Sequence, residues 1–246
     1  MKKNVFVFLF IIILYYVFSK ECVIILSGIS GQKSQLKKIE NLFKEKYGYD
    51  AYSPDYIDKK GFEDTYKKLE AFLNGIKNIN YDKIHFFCYI YGGLQLFRYF
   101  EKNTMENLGN IVLDRGPIEE ALAPVIREKK LDLLLEIYGG RNLIEFSYHK
   151  YFSVPQYLNN KKIGLIIETK GTYFCLFYKN DIKKKNPEFI PDKIIQKYDD
   201  YFFIDFNHKQ MYEKIGLFID EIYFFLKNGF FSVNVNKEIK DYLSFF

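Results

Sequence analysis

Apolar runs alternate with amphipathic segments along the first half of the chain. Residues 22–26 form a continuous, largely β-branched apolar run, which is typical of a strand buried on both faces of a parallel sheet. Over residues 35–47 the apolar positions recur three or four residues apart, and Gly48 follows as a helix stop, so this segment is predicted to be an amphipathic helix. The same patterns predict strands at 50–53, 83–89 and 110–113, and helices at 62–76 and 92–101.

This alternation, with short turns over residues 22–116, predicts an α/β fold with a mostly parallel central sheet flanked by helices. Right-handed crossovers would bring the carboxyl ends of the strands to one edge, where ligands of such sheets bind.

The alternation breaks after Pro117. Helices are predicted from Pro117 and over 130–138, the second ended by Gly139 and Gly140, and we interpret 117–160 as a lid-like insertion over the sheet edge. Strands are predicted again at 162–168 and 201–205, and a helix at 212–226.

The amino-terminal segment differs from the rest of the chain. Lys2 and Lys3 precede the uninterrupted apolar run Val5–Phe18, and Val17 and Ser19 supply the small side chains that a signal peptidase prefers three residues and one residue before the cleavage site. The run is short for a bilayer span of roughly 20 residues. Residues 1–19 are therefore predicted to be a signal peptide, with an uncleaved membrane anchor or a buried first element as alternatives. We expect a protein exported to the periplasm, envelope or extracellular space, with 20–246 forming a single domain.

Charge and cysteine content exclude several function classes. The net charge of +5 is spread along the chain, and its densest run, Lys183–Lys185, is typical of a solvated loop, so no nucleic-acid partner is expected. The three cysteines Cys22, Cys88 and Cys175 lie in apolar contexts. An odd number cannot pair completely; buried thiols are expected, with one disulfide left open. No spacing indicates a metal site, and no cofactor is expected.

Residues 85–94, "HFFCYIYGGL", combine a strand, a glycine turn and the start of a helix. With "VIILSGISG", "YGYDAYSPDY" and "DFNHKQMYEKIG" in the same order, the chain resembles the α/β-hydrolase fold superfamily, lipase- and esterase-like members in particular, over residues 22–228. The resemblance implies that Gly28 belongs to the oxyanion turn, with Ser27 standing where that family has histidine. It also implies that His208 occupies the position of the catalytic base.

The nucleophile turn departs from the family pattern. That pattern is Gly-x-Ser-x-Gly, and aligned on Gly92 and Gly93 this chain has Cys88 at the first glycine and Ile90 at the serine. Isoleucine has no lone pair for attack and no proton for a base to remove. A branched side chain would also be strained at a positive φ, so a relaxed turn is expected.

The acid of a catalytic triad is not evident either. The resemblance places it after the strand 164–168, where only Glu168 itself carries a carboxylate. Asp114, after an earlier strand, is a substitute, although it also suits the cap of the helix that follows. His208 can equally be a hydrogen-bonded turn residue, and His85 and His149 are expected to be structural.

Three functional hypotheses follow. The first is a non-catalytic, degenerate α/β-hydrolase-fold protein whose cleft, lined by Gly28, Tyr89, Ile90, Tyr91 and Gly92, binds an apolar small molecule or a protein partner. The second is an active esterase in which Ser27 or Ser30 is a relocated nucleophile and His208 is the base. The third is a structural envelope protein with a filled cleft. A membrane partner is expected only through residues 1–19.

Overall fold

The computed structural model describes residues 20–29, 31–148, 154–185 and 198–238. A six-stranded, all-parallel sheet with strand order β2-β1-β3-β4-β5-β6 forms its centre. The strands are β1 (Glu21–Leu26), β2 (Asp50–Tyr52), β3 (Lys83–Cys88), β4 (Leu108–Arg115), β5 (Ile163–Glu168) and β6 (Asp200–Ile204). The predicted α/β class with a mostly parallel sheet is confirmed.

Helices cover both faces of this sheet. In chain order they are α1 (Lys33–Tyr47), α2 (Phe62–Lys77), α3 (Ile90–Phe100), α4 (Pro117–Glu128), α5 (Asp132–Phe146), α6 (Tyr173–Phe177), α7 (Lys179–Lys185), α8 (His208–Glu213) and α9 (Ile219–Asn228). Short 3₁₀ turns lie at Gln156–Asn160 and Ile215–Leu217. Apolar side chains of α1, α8 and α9 bury one face of the sheet, and those of α2 to α6 bury the other.

Predicted helix boundaries can be compared with the structure. The helix predicted over 130–138 stops at the predicted glycines: Gly140 adopts the non-helical φ 61° and ψ −160°, which divides Asp132–Phe146 into two helical segments joined at a kink. The helix predicted over 212–226 is divided instead into α8, a 3₁₀ turn and α9. The short helices α6 and α7 were not predicted, since helices of one or two turns carry little periodic signal.

Several expectations about single residues can be compared with the structure. Cys22, Cys88 and Cys175 are buried free thiols, as expected. His85 is buried and structural: it accepts the Asn110 N–H at Nδ1 and contacts Glu21 through Nε2. Residues 1–19, Ser30 and His149 lie outside the described residues. Within the described part, the structure contains no helix of the length and apolarity that a membrane crossing needs.

Candidate functional site

The carboxyl ends of the parallel strands bring the chemically active side chains to one edge of the sheet. Gly28 follows β1, Asp114 lies near the end of β4, Glu168 ends β5, and His208 begins α8 after β6. Ile90 begins α3 directly after β3. This is the edge at which open parallel sheets bind ligands.

His208 and Glu168 form a hydrogen-bonded pair. The distance from His208 Nδ1 to Glu168 Oε1 is 2.8 Å, and Asp114 Oδ2 lies 3.9 Å from the same nitrogen. The side chain of Asn207 caps α8 in a reciprocal capping box with Gln210, which fixes the start of the helix that carries His208. His208 Nε2 faces Gly28, at 3.3 Å from the position that a Cβ on Gly28 would take.

The two carboxyl groups lie in a buried and electrostatically unfavourable environment. Burial, and after it the charge of Glu168, raises the pKa of Asp114 well above its ordinary value. Burial, and after it the charge of Glu119, raises the pKa of Glu168 in the same direction. Both oxygens of Asp114 and Oε2 of Glu168 have no hydrogen-bond partner in the described part of the chain. The guanidinium of the adjacent Arg115 donates to the two oxygens of Glu120 at 2.6 and 2.5 Å.

The chain turns from β3 into α3 where the resemblance places the nucleophile, but the backbone of this turn is not strained. Tyr89 caps α3 with an extended backbone, φ −73° and ψ 162°. Among the described non-glycine residues only Lys130 has a positive φ, so Ile90 does not, and the expected relaxation of the turn is confirmed. Gly92 has a packing reason of its own: a Cβ there would lie 2.4 Å from the carbonyl oxygen of Leu26.

Tyr212 occupies the oxyanion turn. The Gly28 N–H, which the resemblance assigns to the oxyanion hole, donates a 2.8 Å hydrogen bond to the Tyr212 hydroxyl. The Tyr212 ring is buried and stacks on Tyr89 with centroids 3.8 Å apart. No sequence motif indicates this role, which depends on Tyr212 lying one helical turn after His208 on α8.

A cavity of about 470 Å³ opens above these residues. Gly28, Ile90, Tyr91, His208 and Tyr212 form its floor. Apolar side chains of α4 and α5 form its walls, among them Leu122, Ile126, Leu134, Leu135, Leu143 and Phe146. The Tyr91 hydroxyl donates to Asn142 at 2.6 Å, so this hydroxyl is already paired within the protein. Tyr138 and Phe174, whose ring centroids are 5.5 Å apart, also line it.

The structure therefore assembles only part of the predicted site. Gly28, Ile90, Tyr91 and His208 line the cavity, whereas Tyr89, Gly92 and Asp114 do not. Ser27 lines a second cavity of about 660 Å³ and has no hydrogen bond to His208 among the described contacts.

The interpretation that the acid is missing is wrong, because Glu168 contacts His208 directly. Glu168 lies two residues after Ile166 on β5, so the two side chains point to the same face of the sheet. Ile166 pairs with Asp114 on β4, and both carboxyl groups therefore point to the α8 face.

Comparisons with known proteins support this fold. No protein-family model matches the chain, and neither does any curated protein sequence. Among solved structures, the lipase BlEst2 of Bacillus licheniformis in its mature form is 17% identical, with 82% of this chain and 91% of that chain covered and a TM-score of 0.58. The Pyrococcus furiosus esterase Pf2001 is 18% identical, with coverages of 85% and 82% and a TM-score of 0.55. Est1E from Butyrivibrio proteoclasticus is 13% identical, with coverages of 84% and 88% and a TM-score of 0.53.

Proposed function

We propose that this chain, which has the α/β-hydrolase fold, is a non-catalytic protein that binds an apolar ligand in the cavity above His208. One observation carries the proposal: the side chain at the nucleophile position is that of Ile90, and it lines the cavity beside His208. An isoleucine cannot form the covalent intermediate of a serine hydrolase. The Tyr212 hydroxyl supports the same conclusion, since it occupies the backbone N–H that would stabilise an oxyanion.

The cavity itself argues for ligand binding over a purely structural role. A structural protein would fill this space with its own side chains, whereas about 470 Å³ is open here. That volume lies within the range of roughly 300–1,000 Å³ that is usual for pockets that bind small molecules. Each methylene group that the apolar walls bury would contribute about 0.8 kcal/mol. A protein partner remains the other class of occupant. We retain the proposal that residues 1–19 export the chain or anchor it.

A second candidate function is hydrolysis, and the Glu168–His208 pair favours it. With Nδ1 hydrogen-bonded to Glu168, the His208 Nε2 atom faces the oxyanion turn and is positioned to take a proton. Ser27 lines the other cavity, so the nucleophile in this reading would be a water molecule. His208 would accept one proton of that water as its oxygen attacks the ester carbonyl. It would return the proton to the alkoxide oxygen as the bond between that oxygen and the acyl carbon breaks, so that an alcohol and a carboxylic acid are released.

Ester hydrolysis and ligand binding can be measured on the same purified protein. Release of p-nitrophenol from esters of increasing acyl length is compared between the wild type and His208→Ala. We expect no rate above background in either; a rate that disappears in His208→Ala would establish the hydrolase instead.

Binding is followed by the fluorescence of an anilinonaphthalene probe. The probe should bind the wild type and should be lost in Ala123→Trp, which fills the cavity. The matched control is Ala71→Trp on the exposed face of α2, which should bind as the wild type does. Equal probe binding by both tryptophan variants would contradict the proposed site.

A further inference from the structure

We infer that Asp114, Glu168 and His208 form a binding site for a divalent cation of the Zn²⁺ type, beneath the floor of the cavity. This site goes beyond the proposed binding of an apolar ligand and does not depend on it. The three residues come from β4, β5 and α8, and they are far apart in the sequence, so no motif spacing could have revealed them.

The positions of the donor atoms suit one ion. One imidazole nitrogen and two carboxylate oxygens lie within 4.8 Å of one another. A tetrahedral zinc ion with ligands at about 2.0–2.2 Å holds its donor atoms roughly 3.3–3.6 Å apart. The 3.9 Å between His208 Nδ1 and Asp114 Oδ2 is slightly wider than this spacing, and a pair at 4.8 Å would have to close by about 1.2–1.5 Å. Rotation of the carboxylate side chains can supply such a movement.

A second observation points independently to a ligand. Asp114 is completely buried, and neither of its oxygens accepts a hydrogen bond from any described residue. Glu168 is 1% exposed, and its Oε2 is likewise without a donor. Buried carboxylates without donors are costly unless a proton or a cation compensates them. One divalent ion would satisfy the three open oxygens and balance both charges.

Gly116 leaves room beside the Glu168 carboxylate because it has no side chain. A Cβ on Gly116 would lie 2.5 Å from Glu168 Oε2 and 3.3 Å from Ile90 Cδ1, so glycine is required where β4 leads into α4. Ile90 lines the cavity and approaches the same point, whereas Glu168 does not line the cavity. The bound ion would stabilise the fold at this edge of the sheet, and coordination through Nδ1 would leave His208 Nε2 as a hydrogen-bond donor toward the cavity.

The donor set favours one class of metal. Mg²⁺ and Ca²⁺ prefer sites made of oxygen atoms, whereas an imidazole nitrogen combined with carboxylates suits Zn²⁺ and its neighbours among the transition metals. Because binding requires deprotonated ligands, the affinity should increase as the pH rises.

Metal retention tests the inference directly. Full-length protein without an affinity tag is stripped with EDTA, dialysed against ZnCl₂ or CaCl₂ at pH 7.5, freed of unbound metal by gel filtration and analysed for metal content. We expect about one zinc per chain and no calcium, with a higher Tm in the zinc sample. Asp114→Asn keeps the side-chain size but loses a charged ligand. It should bind zinc at least about a hundredfold more weakly, more than the loss of an outer-shell contact would cost.

The control is Glu213→Gln, an exposed carboxylate on the same helix, which should retain zinc as the wild type does. A wild type that retains no zinc would overturn the inference, and so would equal retention by Asp114→Asn. This measurement does not involve the apolar probe, so failure of the metal site and failure of ligand binding are distinguishable. If Asp114→Asn does not fold, Glu168→Gln replaces it.

Discussion

Replacing Ile90 with serine should convert this protein into a weak esterase. The partners of a serine nucleophile are already assembled: His208 Nε2 faces Gly28, and Glu168 holds Nδ1 at 2.8 Å. The variant would place a hydroxyl at the first position of α3, on the floor of the cavity. The base could then accept its proton while the oxygen attacks an ester carbonyl.

The structure also limits how active this variant can be. The Gly28 N–H donates to the Tyr212 hydroxyl, so one donor of the oxyanion hole is occupied. Loss of one such donor lowers kcat by about 10²–10³-fold. We therefore expect the kcat of Ile90→Ser to be about 10²–10³-fold lower than that of a site with a complete oxyanion hole. Adding Tyr212→Phe should recover part of the rate. The Ile90 side chain is 7% exposed and borders a cavity, so its loss should cost about 2–3 kcal/mol of stability.

The assay is p-nitrophenyl butyrate hydrolysis in the presence of EDTA, with stopped-flow detection of an acyl-enzyme burst. EDTA is included because a metal ion on Nδ1 would leave His208 Nε2 protonated and unable to act as the base. Ile90→Ala is the matched control, because it loses the same packing without gaining an oxygen. Ile90→Ser combined with His208→Ala tests whether the base takes part. The reasoning is refuted if Ile90→Ser and Ile90→Ala, both folded, release p-nitrophenol at the same rate, or if removing His208 leaves the new activity unchanged.

Three further predictions concern stability. Without a metal ion, in EDTA, the folded state raises the pKa values of Asp114 and Glu168, so their contribution to the free energy of unfolding should be greatest below about pH 4 and should fall as the pH rises. Asp114→Asn should make the free energy of unfolding depend less on pH in urea titrations across pH 5–9. The hydrogen bond from His85 lowers the pKa of Glu21 to about 2, so its stabilisation is present above pH 4.5 and lost toward pH 2; after allowing for solvent screening, Glu21→Gln should cost about 1–2 kcal/mol at pH 7 and nothing near pH 2. Gly92→Ala would press a Cβ against the backbone oxygen of Leu26 and should lower the free energy of unfolding by about 3 kcal/mol or more. Gly93→Ala places its Cβ against the flexible end of the Leu113 side chain, so it should lower the free energy of unfolding clearly less in the same urea measurement.

The sheet was predictable because its strands carry their signal locally. Each of β1, β3 and β5 is a short apolar run buried on both faces, and glycine or a turn follows it. The helices α1 and α2 were equally evident, since their apolar positions repeat at the helical period. Because each of these signals lies within a single element, the elements and their alternating order could be predicted without any knowledge of long-range contacts, and that order indicates the fold.

The chemistry at the sheet edge was less accessible, because it depends on contacts between distant residues. The resemblance places the acid after the strand, whereas Glu168 is the last residue of β5 itself, and its side chain points to the face where α8 packs. Tyr212 had no motif, and its hydrogen bond to Gly28 joins the two ends of the domain. Side-chain direction and long-range packing decide both cases, and neither can be read from spacing alone.

The parallel arrangement of the strands also separates the point where residues 1–19 join the domain from the cavity. Lys20 lies just before β1, at the amino edge of the sheet, whereas the cavity is at the carboxyl edge, about 20 Å away along a six-residue strand. If residues 1–19 were held in a bilayer, the whole depth of the sheet would lie between the attachment point and the cavity. An anchor of this kind would therefore hold the domain at the membrane without occupying the cavity.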